Sequence, residues 1–345
     1  MNSSRRFLML ACFAASPLFS QQETMLKGIV DQMVLPLTGG ANPVKGLVVG
    51  IATKGQTMLF TCGENGRRSG EKPTGDDLFR IASGTKPLTG LLLAQLVAEG
   101  KIHYADPVAE CAAGEISAFC YEGTPVTVMH LLTHYSGLPV TANDFSKFLA
   151  EYKLARKPGS RFEYSTVGYA VLGKILAEKS GYGDYEKALE AKVLHPLAMS
   201  STVFFVDKGT EERYAGNLAG VPRQGGGVNS ASGGLLSSAN DLLKFLAANI
   251  EPEKHTGLAE ALRTTQQIDT LKSFPGSSVA RGWHVIGGFG FYWHSGVSSD
   301  SRALMTFNPG AKSGVVILTN TGLPPSDSRI EQAGFGILGA LSAMK

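Results

Sequence analysis

Strand-forming runs crowd the two ends of this chain, and helical periodicity fills the span between them. Residues 46–53 (GLVVGIAT) and 57–62 (TMLFTC) are β-rich, and Lys54-Gly55 between them marks a hairpin. Strand character returns from residue 282 onward. Residues 282–293, 302–307 and 314–319 alternate or run apolar, with Asn308-Pro309-Gly310 as a turn. From Ser83, by contrast, Leu88, Leu91, Leu92, Leu93, Leu96 and Val97 recur at helical period up to Glu99-Gly100. Helical segments continue to about residue 265, among them one from Val167 to Lys179 and one starting near Ser238 or Asn240. Residues 22–37 and 327–344 read as flanking helices. This order predicts an α/β (α+β) fold: one antiparallel sheet formed from both termini and flanked by helices, with a mostly helical domain inserted. The expected boundaries are 21–82 and 276–345 for the sheet domain and 83–275 for the helical domain. With 345 residues, 43% of them hydrophobic, the chain can bury a core of this size.

The first 20 residues read as a cleaved export signal. Arg5 and Arg6 supply a positive start, Phe7 to Ala15 is a short apolar run, and Ala14, Ala15 and Ser16 are small. Ser4 to Met9 also fits a twin-arginine pattern. The apolar run is too short to span a bilayer. Without this segment the balance is 30 basic against 29 acidic residues, with no basic stripe, which argues against nucleic acid as a partner. A periplasmic or secreted location makes a disulfide between Cys111 and Cys120 plausible, while Cys62 reads as a small hydrophobe in a strand. Neither the cysteines nor the seven histidines show zinc-ligand spacing. No metal and no cofactor are expected.

Ser83-Gly84-Thr85-Lys86 places a hydroxyl and an amine three residues apart, on one face of a helix. A serine hydroxyl needs such a base to become a nucleophile. A helix start adds free backbone N–H groups near a developing oxyanion. The tetrad also occurs at Ser69–Lys72 and Ser342–Lys345, but only Ser83 follows a strand-like run and opens a strongly apolar helix. Tyr164, with Ser165 and Thr166, ends a loop before the helix that follows. A tyrosine there can move protons if a cation lowers its pKa. Tyr135-Ser136-Gly137 has a similar look. His294-Ser295-Gly296 follows an aromatic strand whose edge can pair with an extended substrate. Gly296 admits close approach to the backbone, and Val297 can offer an oxyanion N–H.

Taken in order, these three elements resemble the sites of the penicillin-recognising serine hydrolases, closest to class C β-lactamases and the related D-Ala-D-Ala carboxypeptidases. Phe79-Arg80-Ile81-Ala82, His130 to Pro139, and Ala231 to Leu235 with Ala239 to Leu242 are similar to further segments of that group. The resemblance covers roughly residues 30–340. It implies Ser83 as acylated nucleophile, Lys86 as base or relay, Tyr164 as catalytic tyrosine, and the N–H groups of Ser83 and Val297 as oxyanion hole. It also implies substrate contacts at Thr166, His294, Ser295, Gly296 and Val297. Thr166 stands where the group usually has Asn. His294 stands where it usually has Lys, which makes the cation beside a substrate carboxylate pH-dependent.

The function expected is hydrolysis through an acyl-enzyme, with the β-lactam amide as the leading substrate, catalysed by a monomer. A D-alanyl-D-alanine carboxypeptidase or endopeptidase, a D-aminopeptidase and an esterase use the same residues. A penicillin-binding sensor that is acylated without turnover is the non-enzymatic alternative.

Overall fold

The computed structural model describes residues 17–40, 42–108, 119–216, 225 and 227–344. Cys111 and most of the leader fall outside these residues, as does Lys345 of the third tetrad. The described residues form twelve strands and ten α-helices. They are β1 (Gly46–Thr53), β2 (Gln56–Gly63), β3 (Phe79–Arg80), β4 (Cys120–Tyr121), β5 (Thr124–Pro125), β6 (Leu236–Ser237), β7 (Ile268–Lys272), β8 (Ser277–Ala280), β9 (His284–Ile286), β10 (Phe291–Val297), β11 (Arg302–Asn308) and β12 (Ser313–Thr319). The helices are α1 (Pro17–Thr38), α2 (Lys86–Ala98), α3 (Val128–Leu132), α4 (Phe145–Glu151), α5 (Thr166–Lys179), α6 (Tyr185–Leu189), α7 (Ser230–Gly233), α8 (Ala239–Ile250), α9 (Ala259–Thr265) and α10 (Arg329–Ala343).

Eight strands form one sheet in the order β2-β1-β12-β11-β10-β9-β8-β7, and every pairing is antiparallel. The two ends of the chain meet at the second and third strands of this order, with Leu47 opposite Thr319 and Ile51 opposite Val315. β1 and β12 are buried at every residue. That explains their unbroken apolar runs, since both faces of the sheet are covered.

One face carries α1 and α10, which close over Leu47, Val49, Leu304 and Ile317. The other face carries α8 and, beyond it, the helical layer around α2. In α2 the side chains of Leu88, Leu91, Leu92, Leu93 and Leu96 are all at most 1% exposed. A helix apolar on every side has to be central, and α2 packs against α5, α7 and α9. Ser165 caps α5 by accepting from the Gly168 N–H at 2.8 Å, and Ser238 caps α8 in the same way.

The strand read over 282–293 is two strands: β9 ends at Ile286, and a turn with Gly288 and Gly290 at positive φ precedes β10. Cys62 is half-buried in β2, and Cys120 is exposed on β4. Among the described residues no helix is long and apolar enough to cross a membrane.

Candidate active site

Ser83 does not lie inside the long helix. It sits on a 3₁₀ turn, Ala82–Thr85, and Lys86 is the first residue of α2. Ala82 holds φ at +42°, a conformation non-glycine residues avoid, directly before the serine. The turn is laced to its surroundings. Gly84 N–H donates to Ile81 O at 2.8 Å and Ile81 N–H to Leu235 O at 3.1 Å. Leu235 N–H donates to Thr85 Oγ1 at 3.2 Å. The Ser83 hydroxyl is thus presented by a fixed backbone.

Lys86 is fully buried. Its Nζ lies 3.0 Å from Ser83 Oγ and donates to Ser232 O at 2.6 Å. Among the described residues no carboxylate pairs with it, and burial pushes its pKa down to about 7. The Tyr164 hydroxyl hydrogen-bonds Ser83. Lys86 Nζ also stands 5.0 Å from the centre of the Tyr164 ring. Burial nevertheless raises the Tyr164 pKa above its usual value. The phenol therefore keeps its proton at neutral pH, contrary to the expectation of a cation-lowered tyrosine. Of the two candidate bases, Lys86 is the one matched to neutral pH.

Tyr164 is held by a residue that the sequence reading quoted only within a segment. His134 stacks on it with ring centres 4.3 Å apart. His134 Nδ1 accepts the Ser165 N–H at 3.0 Å, and His134 O accepts the Glu163 N–H at 2.8 Å. The bonds on either side of Tyr164 thus both end on His134. Replacing it by alanine leaves the buried Ser165 N–H without an acceptor, which costs about 1–3 kcal/mol. We expect His134→Ala to lower kcat about tenfold with little change in KM. His134→Asn, with an amide oxygen in reach, should recover part of the loss in steady-state assays.

β10 brings up the third element. β9 pairs only with Phe291, Tyr292 and Trp293, so His294 to Val297 have no partner strand on that side among the described residues. The backbone of Gly296 presses against the serine turn: a Cβ there would lie 1.9 Å from Ile81 O and 3.1 Å from Gly84 N. Only glycine fits this contact, which sets the distance between Val297 and Ser83.

A cavity of about 570 Å³ opens here, lined by Ser83, Tyr164, His294, Ser295 and Val297 among others. Thr166 opens α5, donates its N–H to Val140 O at 3.1 Å, and lies outside that lining. His294 is 4% exposed, and its Nε2 is buried without a partner. Burial, His284 and Lys86 push its pKa well below the usual value. It is a neutral imidazole, not the pH-dependent cation expected. His284, 5.1 Å from His294 between ring centres, also lines the cavity with its Nδ1 buried and unpartnered. Gly282-Trp283-His284 has no motif, and only the register of β9 against β10 reveals it.

The other serine-lysine tetrads are not assembled this way. Ser69 lies in a loop, and the Ser342 hydroxyl donates to Leu338 O at 2.8 Å within α10. Tyr135 turns its hydroxyl to Lys272 O at 2.7 Å. Among the described residues no group of three or more His, Cys, Asp or Glu side chains is arranged to hold a metal.

A family model described as Beta-lactamase matches residues 32–335. The D-alanyl-D-alanine-carboxypeptidase/endopeptidase AmpH of Escherichia coli (strain K12) is 27% identical over 217 residues, covering 58% of this chain and 56% of its own. A beta-lactamase of the same strain is 26% identical over 238 residues, 66% of this chain and 62% of its own. Protein flp of Staphylococcus aureus (strain N315) is 25% identical over 267 residues, 70% of this chain and 52% of its own. The matched regions thus span between about half and three fifths of these relatives.

Proposed function

We propose that this chain, which belongs to the beta-lactamase family, is a serine hydrolase that forms and hydrolyses an acyl-enzyme at Ser83. The observation that carries the reading is the convergence of Lys86 Nζ, 3.0 Å away, and the Tyr164 hydroxyl on one serine oxygen. In the first step Ser83 Oγ attacks the substrate carbonyl carbon as its proton passes to neutral Lys86. The carbonyl electron pair moves onto oxygen, where the N–H groups of Ser83 and Val297 stabilise it. The C–N or C–O bond then breaks. The leaving group takes its proton from Lys86 through the Tyr164 hydroxyl, which donates one proton as it accepts the other. Water repeats the sequence on the ester, and Ser83 leaves with a proton.

The β-lactam amide is the substrate that the sequence favours. One observation favours an ester or an internal peptide bond with no carboxylate nearby: His294, where a fixed cation would meet a carboxylate, is neutral. Export to the periplasm or beyond rests on Arg5, Arg6 and the apolar run after them.

The test presents the purified protein with a chromogenic cephalosporin, a carbapenem, a D-Ala-D-Ala peptide and a short-chain nitrophenyl ester. Intact-mass spectrometry should find an acyl adduct on the Ser83 peptide for each substrate turned over, and none in Ser83→Ala. An adduct or turnover undiminished in Ser83→Ala overturns the reading. Loss of turnover with a chelator would do so as well.

A further inference from the structure

We propose that Glu331 masks Arg302 beside the Ser83 cavity, and thereby selects substrates that carry no carboxylate at that place: neutral esters or internal amides. The proposal rests on the acyl-enzyme reading and names the substrate class of the same site. Arg302 opens β11 opposite Val297, and it lines the cavity together with Ser328 and Glu331 at the start of α10. Among the lining residues it is the one with a permanent positive charge. Position and charge suit it to receive a substrate carboxylate, but its hydrogen bonding does not.

Arg302 is 2% exposed. Its Nη1 donates to Pro324 O at 2.8 Å, and its Nη2 donates to Glu331 Oε1 at 2.7 Å. Arg302 Nε and Glu331 Oε2 are both buried without a partner. Arg302 spends its charge on Glu331, and the pair carries no net charge. Nearby, Asp327 and Arg329 close a second pair at 2.7 Å. An entering carboxylate would meet the Glu331 charge and lose its water with no unpaired permanent cation among the lining residues to offset the cost. A neutral ester or amide brings no charge to be repelled by Glu331 and no ionic hydration to lose. The neighbouring rings of Trp293 and Phe274 suit an uncharged group as well. His284 and His294 add polar nitrogens but no charge at neutral pH.

Two aryl esters differing only in a carboxylate test this, with the carboxylate placed in turn on the leaving ring and on the acyl chain. The parent protein should favour the neutral ester. Glu331→Gln keeps the shape and an acceptor for Arg302. It should raise kcat/KM for one carboxylate ester about tenfold and leave the neutral ester within about twofold. The gain should vanish in Glu331→Gln/Arg302→Met. Ser328→Lys, at an exposed position, adds a cation without touching the pair. It should also raise the carboxylate ester, so the test survives if Glu331→Gln fails to fold. An unchanged ratio of the two substrates in both single variants overturns the masking while acyl chemistry at Ser83 stands. If the parent cleaves neither ester and shows no Ser83 adduct, the acyl-enzyme reading falls first and the masking with it.

Discussion

Lys86→Met should lower kcat/KM for any Ser83 substrate about 10³-fold, because on the proposed mechanism it removes the group that takes the serine proton near neutral pH. The same residue should appear in the pH profile. With its pKa pushed down to about 7 by burial, kcat/KM of the parent should rise with pH and level off above about 7. It should leave a second mark in stability. In the unfolded chain this lysine has a pKa of about 10.4. As pH falls from about 10 to 7, the unfolded state takes up a proton that the folded site refuses. Stability is therefore lost across that window, by up to about 5 kcal/mol, and the contribution is flat below it. Denaturant unfolding of the parent and Lys86→Met at pH 7, 8.5 and 10 isolates this contribution, because every other titrating group is common to both. Equal slopes would show that burial does not depress the Lys86 pKa.

Gly296→Ala should be almost as damaging, for a different reason. The added methyl meets the backbone oxygen of Ile81 at 1.9 Å, and backbone has no rotamer by which to yield. β10 must move away from the serine turn, taking Val297 with it. Overpacking of this kind costs about 1–3 kcal/mol in stability. Losing one oxyanion donor costs about 10²–10³ in kcat. We expect both losses together, read as a lowered unfolding midpoint and a kcat reduced at least 10²-fold. A Gly296→Ala protein with parental kcat would refute the oxyanion role of Val297.

The parts of the site that were legible in the sequence are those with a local signature. Ser83 and Lys86 are separated by one turn, and the candidate tetrad is the one followed by the all-round apolar helix α2. Tyr164 stands just before a helix with an evident serine cap. The sheet built from both ends follows from the apolar runs of β1, β11 and β12, which have to be covered on both faces. What the sequence hid is non-local. Ser232 contributes only a carbonyl, so its side chain says nothing about the bond to Lys86. His284 reaches the cavity through strand register. The neutral state of His294 depends on burial and on neighbours brought from other elements. The splitting of 282–293 into two strands was equally hidden, because an apolar run carries no mark of where a glycine-rich turn will interrupt it.

The pairing of β1 with β12 bears on the order of events as the protein is made. Leu47 has to find Thr319 across nearly the whole chain, and β10, which completes the site, docks in the same late assembly. Contacts so distant in sequence form slowly, because the intervening chain must be closed before they bring any gain. A growing chain that already carries Ser83, Lys86 and Tyr164 still lacks Gly296 and Val297, and with them the second N–H of the proposed oxyanion site. On the proposed mechanism, hydrolysis has to wait until these last strands arrive. Recovery of hydrolysis after dilution from denaturant should then follow completion of the central sheet, later than the gain of helical signal.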